Sequence, residues 1–210
     1  MNLKLLEIVA VLDRSGSMAT TATDVIGGFN AFVAEQKKRD MEVKATVVLF
    51  DDQYDVWQDG VDVNDIPDIS AVYVPRGSTA LLDAVGRAIT TVGQRLCQTD
   101  EAQRPGKVVV LIMTDGQENA SKEYTFKAIA DMIKTQRETY SWEFIFIGAG
   151  DDVFSVGEGL GIGSTYAYNT TSKGTRHAYG VMGMCVNNVV QSKAMPPQGD
   201  VSDVIGEQEE

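Results

Sequence analysis

Oxygen-bearing side chains recur at short spacing directly after an apolar run near the amino terminus. The run "LLEIVAVL" passes into "LDRSGSMA", which sets Asp13, Ser15 and Ser17 two residues apart. Such a stretch can cap a helix, carry a phosphoryl group on aspartate or serine, or bind a metal. Two further segments bring similar groups. "TDGQENAS" follows "KVVVLIM" and places Asp115 at a strand's carboxyl end, with Gly116 to turn the chain. "VPRGSTALLDAV" places Thr79 at the start of a helical stretch. All five side chains are hard oxygen donors, the ligands that Mg²⁺ and other small divalent cations take in near-octahedral array.

The elements around these segments alternate between strand and helix. "LLEIVAVL", "KVVVLIM" and "WEFIFIG" are continuous apolar runs, as expected of strands covered on both faces. "EVKATVVLF" is half polar and meets "YDVWQ" through "DDQ", which predicts an antiparallel edge hairpin. Helical spacing links Val25, Phe29, Phe32 and Val33, then Leu81, Val85, Ile89 and Val92, then Phe126, Ile129, Met132 and Ile133, and last Val181, Met184, Cys185 and Val189. The alternation predicts an α/β three-layer sandwich: a mostly parallel central sheet with one antiparallel edge strand, and helices on both faces. Sites in such folds lie at the carboxyl ends of the strands. "GEGLGIGSTY" reads as a turn-rich loop, because it neither follows the first strand nor opens a long helix, as a dinucleotide site would.

Composition narrows the function. The formal net charge of −12 argues against nucleic acid and anionic membrane as partners. Residues 1–194 read as one domain. From 195 to 210 the chain carries Asp200, Asp203, Glu207, Glu209 and Glu210 without a Lys or Arg, and reads as an acidic, disordered tail. Cys97 and Cys185 suit reduced thiols, and a lone histidine argues against zinc. The amino-terminal run has a lysine and an internal acid but no small-residue cleavage site, so a first strand and a cytoplasmic location are expected.

With Asp13, Ser15 and Ser17 as a DxSxS motif, Thr79 next in order and Asp115 in "TDG", the chain resembles the von Willebrand factor A (vWA) family. The resemblance extends over about residues 4 to 193 and is closest to its stand-alone intracellular bacterial or phage members. In that family this set forms the metal-ion-dependent adhesion site (MIDAS), and no ligand position is replaced here. The resemblance implies that Ser15 and Ser17 coordinate directly, Thr79 directly or through water, and Asp13 and Asp115 through water. The ion would be Mg²⁺, or else Mn²⁺ or Ca²⁺. It also implies a protein partner that presents an Asp or Glu to the metal, with Met18, Arg76, Gln117, Glu118 and Asn119 as candidate rim residues.

Enzyme readings fit less well. A phosphotransferase using Asp13 would want a second acid where Ser15 stands, and a serine hydrolase would want a GxSxG elbow with a nearby histidine. A metal-dependent protein-binding module without catalytic activity is the expectation. The alternative is a regulatory or assembly subunit of a larger, for example ATPase-linked, complex.

Overall fold

In the computed structural model, which describes residues 1–206, the chain opens with β1 (Asn2–Asp13), α1 (Ala22–Gln36), β2 (Glu42–Phe50) and β3 (Tyr54–Asp62). It continues through α2 (Leu81–Gln98), β4 (Pro105–Thr114), α3 (Phe126–Tyr140), β5 (Glu143–Gly148) and α4 (Val153–Gly159). It closes with β6 (Ser164–Ala167), α5 (Ser172–Val190), β7 (Gly199–Asp200) and α6 (Val201–Gly206). The strands form one seven-stranded sheet in the order β3-β2-β1-β4-β5-β6-β7. Every pairing is parallel except the β2–β3 hairpin.

Strict alternation along β1 divides the core in two. Leu6, Ile8, Ala10 and Leu12 pack with Phe29 and Val33 of α1 and with Val181 and Cys185 of α5. Val9 and Val11 pack with Val85 and Ile89 of α2 and with Ile129 and Ile133 of α3. Each fully buried branched side chain adds roughly 1.5–3 kcal/mol of transfer free energy, against which chain entropy must be set. The acid inside the β1 run, Glu7, is fully buried, and its Oε1 accepts from Arg95 Nη2 at 2.7 Å and Thr46 Oγ1 at 2.9 Å. The apolar strand tolerates a carboxylate because α2 supplies the opposite charge.

The expected sandwich and edge hairpin are present. The tail assignment needs correction for residues 199–206: β7 pairs with β6, and Val201 and Val204 of α6 are buried against the α5 face of the core. Two valines three residues apart give this short acidic stretch a face to bury. Residues 207–210, the rest of that stretch, lie outside the described residues. The last residues of "GEGLGIGSTY" also form β6 rather than loop.

The sheet order creates the site. β1 lies between β2 and β4, so the chain leaves β1 in one direction and returns on its other side. That reversal is the switch point at which α/β sheets open a crevice beyond the strand ends. Register pairs Leu12 with Met113, which puts Asp13 beside Thr114 and one residue from Asp115.

Candidate metal-binding site

Asp13 ends β1 and is almost fully buried. Its Oδ1 accepts from the Ser15 backbone N–H at 2.6 Å, and its Oδ2 accepts from Thr114 Oγ1 at 2.5 Å. The first bond is an aspartate turn that reverses the chain within two residues; the second ties that turn to β4. Ser15 Oγ and Ser17 Oγ then lie 3.1 Å apart, and Ser17 Oγ donates to Asp115 Oδ1 at 2.5 Å. Thr79 joins them from the third loop. A Cβ built on Gly116 would stand 2.8 Å from Thr79 Oγ1, 3.4 Å from Ser17 Oγ and 3.7 Å from Ser15 Oγ. The three hydroxyls therefore surround one small space, which stays open because residue 116 is glycine. All five predicted ligand residues are brought together.

The chemistry of this donor set fits a divalent cation. Neutral hydroxyls line the space and two carboxylates stand among and behind them, all hard oxygens. Burial pushes the Asp13 carboxyl up to about 6, although the Thr114 hydroxyl and the Ser15 amide pull it down. Burial likewise raises Asp115 against the Ser17 hydrogen bond. Positive charge placed between two such carboxyls favours their ionised forms. Among the described residues, no group of three or more His, Cys, Asp or Glu side chains is arranged to hold a metal, so a thiolate, imidazole or carboxylate-cage site has no counterpart there.

Groups not foreseen from the sequence hold the three loops in register. Arg14 is buried, its Nε donates to Asp51 Oδ2 at 3.0 Å, and its Nη2 pairs with Asp55. Arg76 Nε donates to the same Asp51 oxygen at 2.8 Å, while its backbone N–H donates to the Arg14 carbonyl at 2.8 Å. Burial would raise the Asp51 carboxyl, but Arg76, the Gln53 amide and Arg14 hold it below the usual carboxylate range. The Asp51 carbonyl also accepts from Ala80 N–H, and the Gly77 carbonyl accepts from Gly16 N–H at 3.1 Å. Gly77 has φ +68° with Asp52 against it, a conformation that favours glycine. Tyr73 Oη donates to the Asp13 carbonyl at 2.5 Å from below. The strand register, which the sequence does not display, pairs Phe50 with Asp13 and so brings the acid that follows β2 beside the DxSxS turn.

On the other side, α2 and the loop after Asp115 cap each other. The first turn of α2 lacks a side-chain cap of its own. Glu118 Oε2 accepts from Leu82 N–H at 2.9 Å and Ser121 Oγ from Asp83 N–H at 3.1 Å. In return Asp83 accepts from the backbone N–H groups of Lys122, Glu123 and Tyr124 at 2.8 to 2.9 Å. Burial opposes ionisation of Asp83, yet these three amides hold its carboxyl below the usual range. Asn119 pairs its side-chain oxygen with Thr79 N–H and its own N–H with the Thr79 carbonyl, both at 3.0 Å.

The proposed rim residues therefore divide. Met18 is fully buried in the α1/α5 core and is removed from the rim: the 3₁₀ turn Gly16–Thr20 folds its side chain inward. Glu118 and Asn119 sit at the site, but their side-chain acceptors serve α2 and Thr79. Arg76 is half exposed and tied to Asp51. Gln117 is exposed and donates to Asp152 Oδ2 at 3.2 Å.

Comparison with solved structures bears on the fold. A von Willebrand factor type A structure from Catenulispora acidiphila superposes with a TM-score of 0.57 at 15% identity, over 87% of this chain and 42% of that one. The fold is of the vWA type. The PilB minor pilin of Streptococcus sanguinis, as its D319A mutant, gives a TM-score of 0.63 at 11% identity, over 92% of this chain and 64% of the pilin. Proximal thread matrix protein 1 from the mussel byssus, with a zinc-occupied MIDAS motif, gives 0.50 at 23% identity, over 70% of this chain and 36% of that one. The chain thus spans less than two thirds of the length of each of these three neighbours. No protein-family model and no curated protein matches the sequence. No helix among the described residues is long and apolar enough to cross a membrane.

Proposed function

We propose that this chain is a protein-binding module whose site is completed by a divalent cation, Mg²⁺ or Mn²⁺, held by Ser15, Ser17, Thr79, Asp13 and Asp115. One observation carries the reading: the Ser15, Ser17 and Thr79 hydroxyls all lie within 4 Å of a single point beside Gly116. A cation held among these hydroxyls would supply a positive centre with affinity for a hard oxygen anion, which for a protein partner means an Asp or Glu side chain.

The chain's own groups do the positioning. Asp13 orients Ser15 through the backbone N–H and anchors the turn to Thr114. Asp115 holds the Ser17 hydroxyl. Asp51 and Asn119 fix the backbone on either side of Thr79. Ligands that are mainly neutral hydroxyls would leave much of a cation's charge for the partner's acid.

We read the module as non-catalytic and cytoplasmic. The lone histidine, His177, is half-buried on α5 with its Nδ1 3.4 Å from Ser202 Oγ, and its engagement there rather than with Ser15 or Ser17 is what supports the first part.

Calorimetric titration of Mn²⁺ and Mg²⁺ into the wild-type chain, with Ser17→Ala and Asp13→Ala as controls, tests the reading. Saturable binding that both variants weaken is expected. Absence of divalent binding in the wild type would overturn it.

A further inference from the structure

Beside the ion cradle, on the α2/α3 face of the sheet, there is an apolar pocket of about 180 Å³. Leu82, Phe126, Phe146, Val153 and Val156 are among the larger apolar side chains in its wall. Leu82, Phe146 and Val153 are buried, whereas Phe126 stands 38% exposed at the lip. The Phe126 ring is held against α4 at Gly159, where a Cβ would come within 2.5 Å of it. Thr114 and Gly116 also line the pocket. Thr114 is the residue that binds the Asp13 carboxylate, and Gly116 borders the three hydroxyls. The cradle and the pocket share a wall.

Size, charge and reach define what fits. A cavity of roughly 150 Å³ lined by Leu, Ile and Phe accepts benzene, and drug-sized ligands need roughly 300 Å³ or more. A volume of about 180 Å³ therefore suits one leucine- to phenylalanine-sized group. The ionisable side chains lining it are Glu118 and Asp152, so a second acid would meet like charge and an apolar group would not. An extended peptide advances roughly 3.3–3.6 Å per residue. A carboxylate at the cradle and a side chain in the adjoining pocket then belong to neighbouring residues of one segment.

We infer that this pocket is a specificity subsite of the partner-binding face, taking a Leu, Met or Phe side chain one or two residues from the partner's acid. This rests on the metal-dependent reading above. The partner's recognition element is a short segment that pairs one carboxylate with one apolar side chain.

The test titrates end-capped peptides Asp-Gly-Gly, Asp-Leu-Gly and Asp-Gly-Leu into the full chain, with Mn²⁺ and again with EDTA. Mn²⁺-dependent binding of all three is expected, with a leucine peptide tighter by about ten-fold or more. Val156→Phe, which fills the pocket, should remove that gain and leave Mn²⁺ and Asp-Gly-Gly affinities unchanged. Phe126→Ala, at the exposed lip, should reduce the gain independently and covers the case in which Val156→Phe does not fold. Equal, Mn²⁺-dependent affinities for the three peptides would overturn the subsite and leave the metal reading standing. A leucine preference that survives both variants would overturn its location. Peptide binding indifferent to EDTA would overturn the metal reading and the subsite with it.

Discussion

Gly116 and Thr79 come from different loops, yet a single methyl group on Gly116 would stand 2.8 Å from the Thr79 hydroxyl oxygen. The space among Thr79, Ser17 and Ser15 is thus kept by what Gly116 lacks. Gly116→Ala should weaken Mn²⁺ binding by roughly ten- to a hundred-fold, the cost typical of disturbing the groups that orient metal ligands. Calorimetry would read the loss, and a near-native melting temperature would show that the effect is local.

Asp51 is a buried carboxylate between two guanidinium groups. Asp51→Ala would leave Arg14 buried without its main counter-charge, which costs about 3–5 kcal/mol. Urea unfolding should show that loss. Arg76→Ala should cost far less, because its side chain is half exposed and screened by solvent.

Acid should unfold the chain in part through Asp83 and Asp51, whose carboxyls are held below their unfolded values. The native state then binds fewer protons than the unfolded state. The stability these groups add is complete above the ordinary aspartate range, near pH 4, and is lost as pH falls through their lower native values. Asp83→Asn should flatten this acid limb in a series of urea melts from neutral pH downward. An unchanged slope would show that its three amide contacts carry no charge preference.

Glu7 and Arg95 offer a core test. Arg95→Met leaves a fully buried carboxylate without its cation and should cost about 3–5 kcal/mol. Adding Glu7→Leu to that variant should recover most of the loss. Double-mutant unfolding curves would measure the recovery.

Much of the fold was legible because β1, β4 and β5 are apolar on both faces, a pattern local to each strand. The convergence of the candidate ligand residues was legible because DxSxS and "TDG" each sit at such a strand's end. What supports the set was not. Arg14 meets Asp51 across 37 residues, and Glu118 caps a helix that begins 37 residues before it, so neither pairing leaves a local trace. Met18 looked like an exposed loop residue because a 3₁₀ turn of five residues is too short to show which way it faces. The four-residue β6 and two-residue β7 are likewise too short to display a period.

The exchanged caps between the start of α2 and the loop after Asp115 make one opening unit of two segments distant in sequence. The amides of Leu82 and Asp83 are bonded to Glu118 and Ser121, and those of residues 122–124 to Asp83, so separating the two segments breaks both sets of bonds. Hydrogen exchange at these five amides should follow a single opening free energy, and anything that locks Asp115 in place should slow all of them together.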